Sequence, residues 1–388
     1  MKGVNDRIIT SFEVCNESMI IADTKGALRQ QVSSVLERSG YDVMELNLTD
    51  CRASTVGYNP LRFIGFDTER GHYSEQDILR AAACLVPQEI TDEPFWDRAA
   101  RMLLETFIGY ILECQPKEEH CLDNIILLLS EMGGLTNKLL DEFALIAPES
   151  FPARRWKLYR SMAQADRTQA CIQGILAEKI STLTFDGVSE LYSRPIQIDF
   201  STLGREKTAL FLTISDTDRS MDPLAALLYS QALQELCAEA DRNEDHRLAV
   251  PVRLYLDDFA CNVTIPDFDK IVSVLRSREI SVSIVLQSLS QLEALYGRAK
   301  ALTILNSCDN LLYLGGQDVE TAKFISAKAN KPVSSVLTMP LDNAWLFTRG
   351  MMPEQVHKNN LTSHPRYYET PEYFCRDTEC VYDDALPF

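Results

Sequence analysis

The 388 residues contain no glycine-rich loop ending in Lys-Ser or Lys-Thr, the element whose backbone N–H groups cradle nucleotide phosphates. No run approaches the ~20 apolar residues of a membrane span, and no charged-then-apolar leader opens the chain. Cations are scarce: 38 Lys and Arg stand against 56 Asp and Glu, for a formal charge of −18. That balance opposes tight general binding to nucleic acid, because phosphate neutralisation needs clustered Lys and Arg. The 11 cysteines are scattered singly with no CxxC pair, and Cys375 and Cys380, the two that could ligate a metal, have no His or Cys partner close by in the sequence. They read as reduced, mostly core thiols of a cytosolic protein.

What is present is an ordinary globular balance, 46% hydrophobic and 24% charged residues. The length suits two domains, or one large α/β domain carrying an insertion. SMIIADTKGAL reads as an apolar strand, a turn and the start of a helix running from Leu28 to Arg38. Gly40 closes that helix and YDVMELNL is the next strand, giving a βαβ unit. YNPL, Tyr58 to Leu61, is a turn-forming break.

From Ser74 to about Thr184 the periodicity is helical throughout. Ser74 caps SEQDILRAAACLV with Asp77 at the third helical position, close to a capping box. In FWDRAARMLLETFIGYILE, Phe95, Ala99, Leu103, Phe107 and Tyr110 share one face. Arg154, Arg155, Lys157 and Arg160, with Trp156 and Tyr159 interleaved, form the densest cationic cluster, which reads either as a solvated helix face or as a local basic patch. Regular βα alternation then resumes. PIQIDF, KTALFLTIS, VRLYLDDFA, ISVSIVLQS and NLLYLGG read as strands, separated by helices that include DPLAALLYSQALQELCAEA and DVETAKFISAKA. AWLFTRG adds one more strand. The pattern predicts a mainly parallel sheet with helices on both faces.

Two of these strands end in polar residues. VRLYLDDFA and ISVSIVLQS, side by side in a parallel sheet, project Asp257, Asp258 and Gln287 from their carboxyl ends, where such sheets bind ligands. One carboxylate can hold Mg²⁺ through water, a second can orient an attacking water, and an amide on the next strand can sense a γ-phosphate.

With these motifs together, the chain resembles the type IV secretion coupling proteins of the TraG/TraD kind, ATPases of bacterial conjugation. VRLYLDDFACNVTIPDFDKIVSVLRSREISVSIVLQSLSQLEALYG is similar to that family's Walker B strand and the motif after it. IIADTKG resembles its early strand ending in Asp-Pro-Lys-Gly, YNPL recurs after the second strand, and DEPFWDRAARMLLETFIGYI resembles the opening of its all-α domain. KTALFLTISDTD, LGGQDVETAKFIS and RGMMPEQVHKNNLTSHPRY also match. The resemblance implies an α/β, RecA-like P-loop NTPase fold with an inserted all-α domain, divided as 1–75, 76–187 and 188–388.

It further implies ATP and Mg²⁺ as cofactors of the full-length protein, with Asp257 as the Mg²⁺-associated carboxylate, Gln287 sensing the nucleotide, and Arg276 or Arg278 as an arginine finger. Lys2, Asp23 and Lys25 fall on the nucleotide side. The implied partners are relaxase and other relaxosome proteins, the secretion channel, single-stranded DNA within a homohexamer, and a bacterial cell membrane reached through N-terminal helices, with this part cytoplasmic.

Two departures bear on activity. The family usually carries Glu where this chain has Asp258, which withdraws the carboxylate by one carbon, and misplacement on that scale costs on the order of 100-fold in rate. The family's phosphate loop lies about twenty residues before the Asp-Pro-Lys-Gly strand and would fall at Met1 to Gly3, leaving Lys2 as its remnant. The expectation is a fragment cut just after that loop, with no nucleotide bound and no turnover alone. A non-hydrolysing adaptor that binds relaxosome or effector proteins through its all-α domain is the alternative. A metal-dependent nuclease built on Asp257 and Asp258 is a third reading, weakened by the lack of further acidic ligands nearby.

Overall fold

The computed structural model describes residues 16–24, 26–88, 93–259 and 263–359. In chain order, β1 (Ser18–Asp23), α1 (Ala27–Arg38) and β2 (Asp42–Asn47) form the opening βαβ unit. A two-stranded ribbon of β3 (Phe66–Asp67) and β4 (His72–Tyr73) follows. Then come α2 (Glu75–Leu85), α3 (Phe95–Cys114), α4 (Asp123–Ser130), α5 (Leu135–Ile146), α6 (Phe151–Met162), α7 (Asp166–Ser181) and α8 (Asp186–Ser193). Alternation returns with β5 (Thr208–Thr213), α9 (Asp222–Arg242), β6 (Val252–Leu256), α10 (Phe268–Leu275), β7 (Ile280–Ile284), α11 (Leu289–Tyr296) and α12 (Arg298–Ser307). The last elements are β8 (Asn310–Tyr313), α13 (Val319–Ala329), α14 (Val333–Leu337), β9 (Asn343–Thr348) and β10 (Glu354–His357).

The chain divides into two compact units. An α/β unit comprises Met1–Met44, Asp199–Asp216 and Gln234–Phe388, and a helical unit comprises Glu45–Ile198 and Thr217–Leu233. The helical unit therefore takes in residues on both sides of the 76–187 stretch expected as the all-α domain.

In the α/β unit the strands lie in the order β2-β5-β1-β6-β7, and β1 pairs in parallel with both β5 and β6. A central parallel strand is covered on both faces, which is why β1 and β5 are buried at every position and read as unbroken apolar runs. Helix α1 packs Leu28, Val32 and Leu36 against Met19, Ile21 and Phe211 of the sheet. Its entry is made by Gly26, whose φ of 65° suits a residue without a Cβ.

In the helical unit, α2 is capped as its sequence predicts, Ser74 accepting from the Asp77 N–H at 3.3 Å. The YNPL turn is a clamp. The Tyr58 hydroxyl donates to Gln231 Oε1 at 2.7 Å, Gln231 Nε2 donates to Pro60 O at 2.9 Å, and Asn59 Nδ2 donates to His120 O at 2.6 Å. All three contacts are buried, so each polar group removed from water is given a partner.

Two expectations fail. PIQIDF is not a strand: it makes a single parallel bridge, Gly57 to Gln197, and the chain then turns into the 3₁₀ segment Phe200–Gly204. The Gln197 side chain donates to Leu191 O, Tyr192 O and Arg194 O, closing the end of α8, while Asp199 accepts from the Ser201 N–H and starts the turn. A Cβ at position 57 would lie 2.2 Å from Gln197 Nε2, so glycine is required beside this strap. Likewise β8 does not extend the parallel sheet. It pairs antiparallel with β9 in a separate three-stranded sheet, β10-β9-β8, where Tyr313, Trp345 and Phe347 pack on Ala322 and Ile325 of α13.

Candidate nucleotide-hydrolysis site

Strand β6 pairs with β1 on one side and β7 on the other, both in parallel. Leu254, Tyr255 and Leu256 are each within 1% of full burial, so the acids that follow are delivered by a fixed strand. Asp257 retains 8% exposure, and its Oδ1 accepts from the Asp258 N–H at 3.1 Å. Asp258 has φ 46°, in the left-handed region that Asp and Asn tolerate better than other side chains. This conformation turns the chain out of the strand. The β6–β7 pairing continues past it, through Val285 N–H to Leu256 O and Phe259 N–H to Val285 O, both at 3.0 Å.

The structure brings Gln287 to Asp258: Gln287 Nε2 donates to Asp258 Oδ1 at 3.1 Å. The amide emerges from β7, the edge strand next to β6, so the two side chains meet across the register Leu256 to Ile284. Behind the acids, Phe259 is buried against Phe268 and Tyr296, with ring centroids 5.5 and 6.0 Å away. The Tyr296 hydroxyl accepts from the Ile265 N–H at 2.9 Å, and burial pushes its pKa up. These anchors were not read from the sequence, although the aromatic after the two acids was visible there.

Asp23 ends β1, buried to 2% exposure, in register with Thr213 of β5. Its Oδ2 accepts from the Arg29 N–H at 2.9 Å, in the first turn of α1. Arg278 lies elsewhere. It precedes β7, at the end of that strand opposite Gln287, and makes a fork with Asp241, Nε to Oδ1 and Nη2 to Oδ2 both at 3.0 Å. The bond raises the Arg278 pKa and lowers that of Asp241. Arg276 is 3.3 Å from Asp309, with a largely exposed side chain. Lys2 and Lys25 lie outside the described residues.

The acidic pair and amide fit hydrated Mg²⁺, which keeps several waters and takes one or two protein carboxylates. Among the described residues no group of three or more His, Cys, Asp or Glu is placed to hold a metal. A glycine-rich loop ending in Lys-Ser or Lys-Thr, the usual phosphate cradle, is not part of the 388-residue sequence.

The basic cluster of α6 is engaged with the helical unit's own acids. Arg154 pairs with Glu75, Arg155 lies 3.1 Å from Glu105, and Arg160 lies 3.9 Å from Asp141, which also accepts from Trp156 Nε1 at 2.7 Å. Burial raises the Glu105 pKa, opposed by the Arg155 charge. No helix of the described residues is long and apolar enough to cross a membrane.

The fold recurs in solved structures. The bacterial conjugative coupling protein TrwBΔN70 in complex with sulphate superposes with a TM-score of 0.67 at 17% identity, covering 94% of this chain and 85% of that one. TrwB in complex with ADP and Mg²⁺ gives 0.64 at 18% identity, covering 94% and 84%. VirB4 of Thermoanaerobacter pseudethanolicus gives 0.54 at 12% identity, covering 93% and 86%. These likenesses define the class by fold alone: a RecA-like α/β fold, with a mainly parallel sheet and inserted helices. No curated protein sequence matches the chain. The pattern of the type IV secretory system conjugative DNA transfer family matches residues 2–331, and the chain belongs to that family.

Proposed function

We propose that this chain is the hydrolytic part of a conjugative coupling motor, which uses ATP to bring relaxase-bound single-stranded DNA or protein substrates to a secretion channel. The observation that carries it is the Gln287 to Asp258 hydrogen bond beside buried Asp257, at the carboxyl end of the β6–β7 pair. Asp257, with little exposure, would hold Mg²⁺ through water, and Asp258, more accessible, would orient the attacking water. Gln287, which donates to Asp258, would turn its amide to a phosphate oxygen. Bound nucleotide with Mg²⁺ supplies the phosphoryl group and the neutralising charge.

Asp23, at the end of β1, faces the nucleotide in this reading, and Lys2 and Lys25, which lie outside the described residues, are assigned to the nucleotide by the sequence alone. Arg278 reaches a neighbouring subunit's phosphate only if its fork with Asp241 opens. Relaxosome proteins, channel components, a homohexamer and attachment to the membrane from the cytoplasmic side complete the proposal. The described residues of TrwB-like fold support it, as do the TrwB complexes with ADP and Mg²⁺ or with a non-hydrolysable ATP analogue.

The test is ATP turnover by the 388-residue chain, compared with the same chain extended at its amino end by a glycine-rich loop ending in Lys-Ser. Turnover at background for the former and Mg²⁺-dependent turnover for the latter, abolished by Asp257→Ala, supports the proposal. Activity that survives Asp257→Ala, or appears without the added loop, contradicts it.

A second reading, a non-hydrolysing adaptor, is favoured by one feature of the helical unit. A cavity of about 610 Å³ is lined there by Phe95, Trp96, Arg98, Met102 and Met162. Capture of relaxosome protein by the full chain, lost in Trp96→Ala without any nucleotide dependence, would favour it.

A further inference from the structure

The segment LGGQDVET is placed by the structure against the start of α11, immediately after Gln287. Asp318 is the N-cap of α13 and accepts at one oxygen, Oδ2, from the Thr321 N–H at 2.9 Å, the Thr321 hydroxyl at 2.5 Å and the Ser290 hydroxyl at 3.1 Å. The Thr321 hydroxyl in turn accepts from the Leu289 N–H at 3.0 Å. The proton directions are fixed, since Leu289 and Ser290 can only donate here and an ionised Asp318 can only accept. One carboxylate thus sits between the N-terminal turns of two helices, where unsatisfied N–H groups and the helix dipole favour negative charge.

The contact exceeds an ordinary cap. An N-cap residue serves its own helix, and Thr321 N–H satisfies that role. The additional bonds to Ser290 and, through Thr321, to Leu289 restrain the backbone two residues beyond Gln287. Gln287 itself is exposed, and its amide meets Asp258 through a single hydrogen bond. Its own surroundings restrain it weakly, so its position depends on what holds the chain on either side. On one side is the β6–β7 ladder, ending at Val285; on the other is the Asp318 clasp.

We infer that Asp318 and Thr321 are positioning residues for Gln287, fixing the amide at hydrogen-bond distance from Asp258 and tying it to α13. The inference rests on the hydrolytic role proposed for Gln287, but the hydrogen bond can be read without nucleotide. The full 388-residue chain, labelled with ¹⁵N-glutamine, gives side-chain amide signals. The Gln287 pair is assigned by its loss in Gln287→Ala, and its position without the bond is set by Asp258→Ala.

In Thr321→Val and Asp318→Ala the Gln287 signal moves at least halfway to its Asp258→Ala position, while Thr321→Ser, which keeps the hydroxyl, leaves it at the wild-type position. A signal unmoved in both Thr321→Val and Asp318→Ala, with the other glutamine signals retained, overturns the inference. Should either variant lose the folded spectrum altogether, Ser290→Ala decides, since it removes one exposed donor. A shift of Gln287 in the same direction upholds the clasp and no shift overturns it. ATP turnover of the loop-extended chain is measured separately, so failure of the motor reading leaves this result distinct.

Discussion

At the amino end of the parallel sheet carboxylates face arginines, whereas at the carboxyl end three carboxylates each accept a hydrogen bond from a neutral N–H group. Glu17 lies 2.8 Å from Arg253, Glu239 takes a fork from Arg205 at 2.6 and 2.7 Å, Asp241 takes one from Arg278, and Glu279 pairs with Arg247. Opposite them, Asp23 accepts from a helix N–H, Asp257 from a backbone N–H and Asp258 from the Gln287 amide. An arginine fork neutralises a carboxylate and fixes it for structure. A neutral N–H donor orients a carboxylate without cancelling its charge, which suits a site that receives a cation or water.

The comparison predicts large stability losses at one end and small ones at the other. Glu239 is 6% exposed and also accepts from Arg242 at 2.8 Å, so Glu239→Gln lowers unfolding free energy by about 2 kcal/mol, read from the urea midpoint. The Arg205 hydrogen bond holds the Glu239 pKa below its ordinary value. A depressed folded pKa gives stability that is present above the unfolded value and lost as pH falls through the folded one. The deficit of Glu239→Gln therefore shrinks as pH falls below about 4.3, and midpoints coinciding at pH 7 instead would break this sign. Arg278→Ala costs less, about 0.5 kcal/mol, because the Asp241 side chain is half exposed. Asp257→Asn leaves stability unchanged or raises it by up to about 1 kcal/mol, as expected where charge serves function.

Much of this site is legible in the sequence because strand burial makes it so. β6 reads as an apolar run since neighbours cover it on both sides, and the two acids mark where that cover ends. The Gln287 contact is visible only as a strand end with an amide, because which side chains meet depends on the register Leu256 to Ile284 and on the left-handed turn at Asp258. PIQIDF misleads because alternation is a strand signal, yet Gln197 uses it to cap α8. NLLYLGG is a strand as read, but its ladder partner is β9, a choice made by the packing of Tyr313 with Trp345 and Phe347. The forks at Asp241 and Glu239 join residues far apart in the chain, and spacing alone gives no sign of them. The Asp318 clasp left one trace, an Asp three residues before Thr at a helix start.

The most direct measurement places both ends of the sheet in one assay: ATP turnover and urea midpoint of the loop-extended chain carrying either Asp257→Asn or Glu239→Gln. The expected result is turnover reduced ~10- to 100-fold with an unmoved midpoint for Asp257→Asn, and a lowered midpoint with turnover retained for Glu239→Gln. Turnover that persists in Asp257→Asn would contradict the assignment of the carboxyl end as the hydrolytic site.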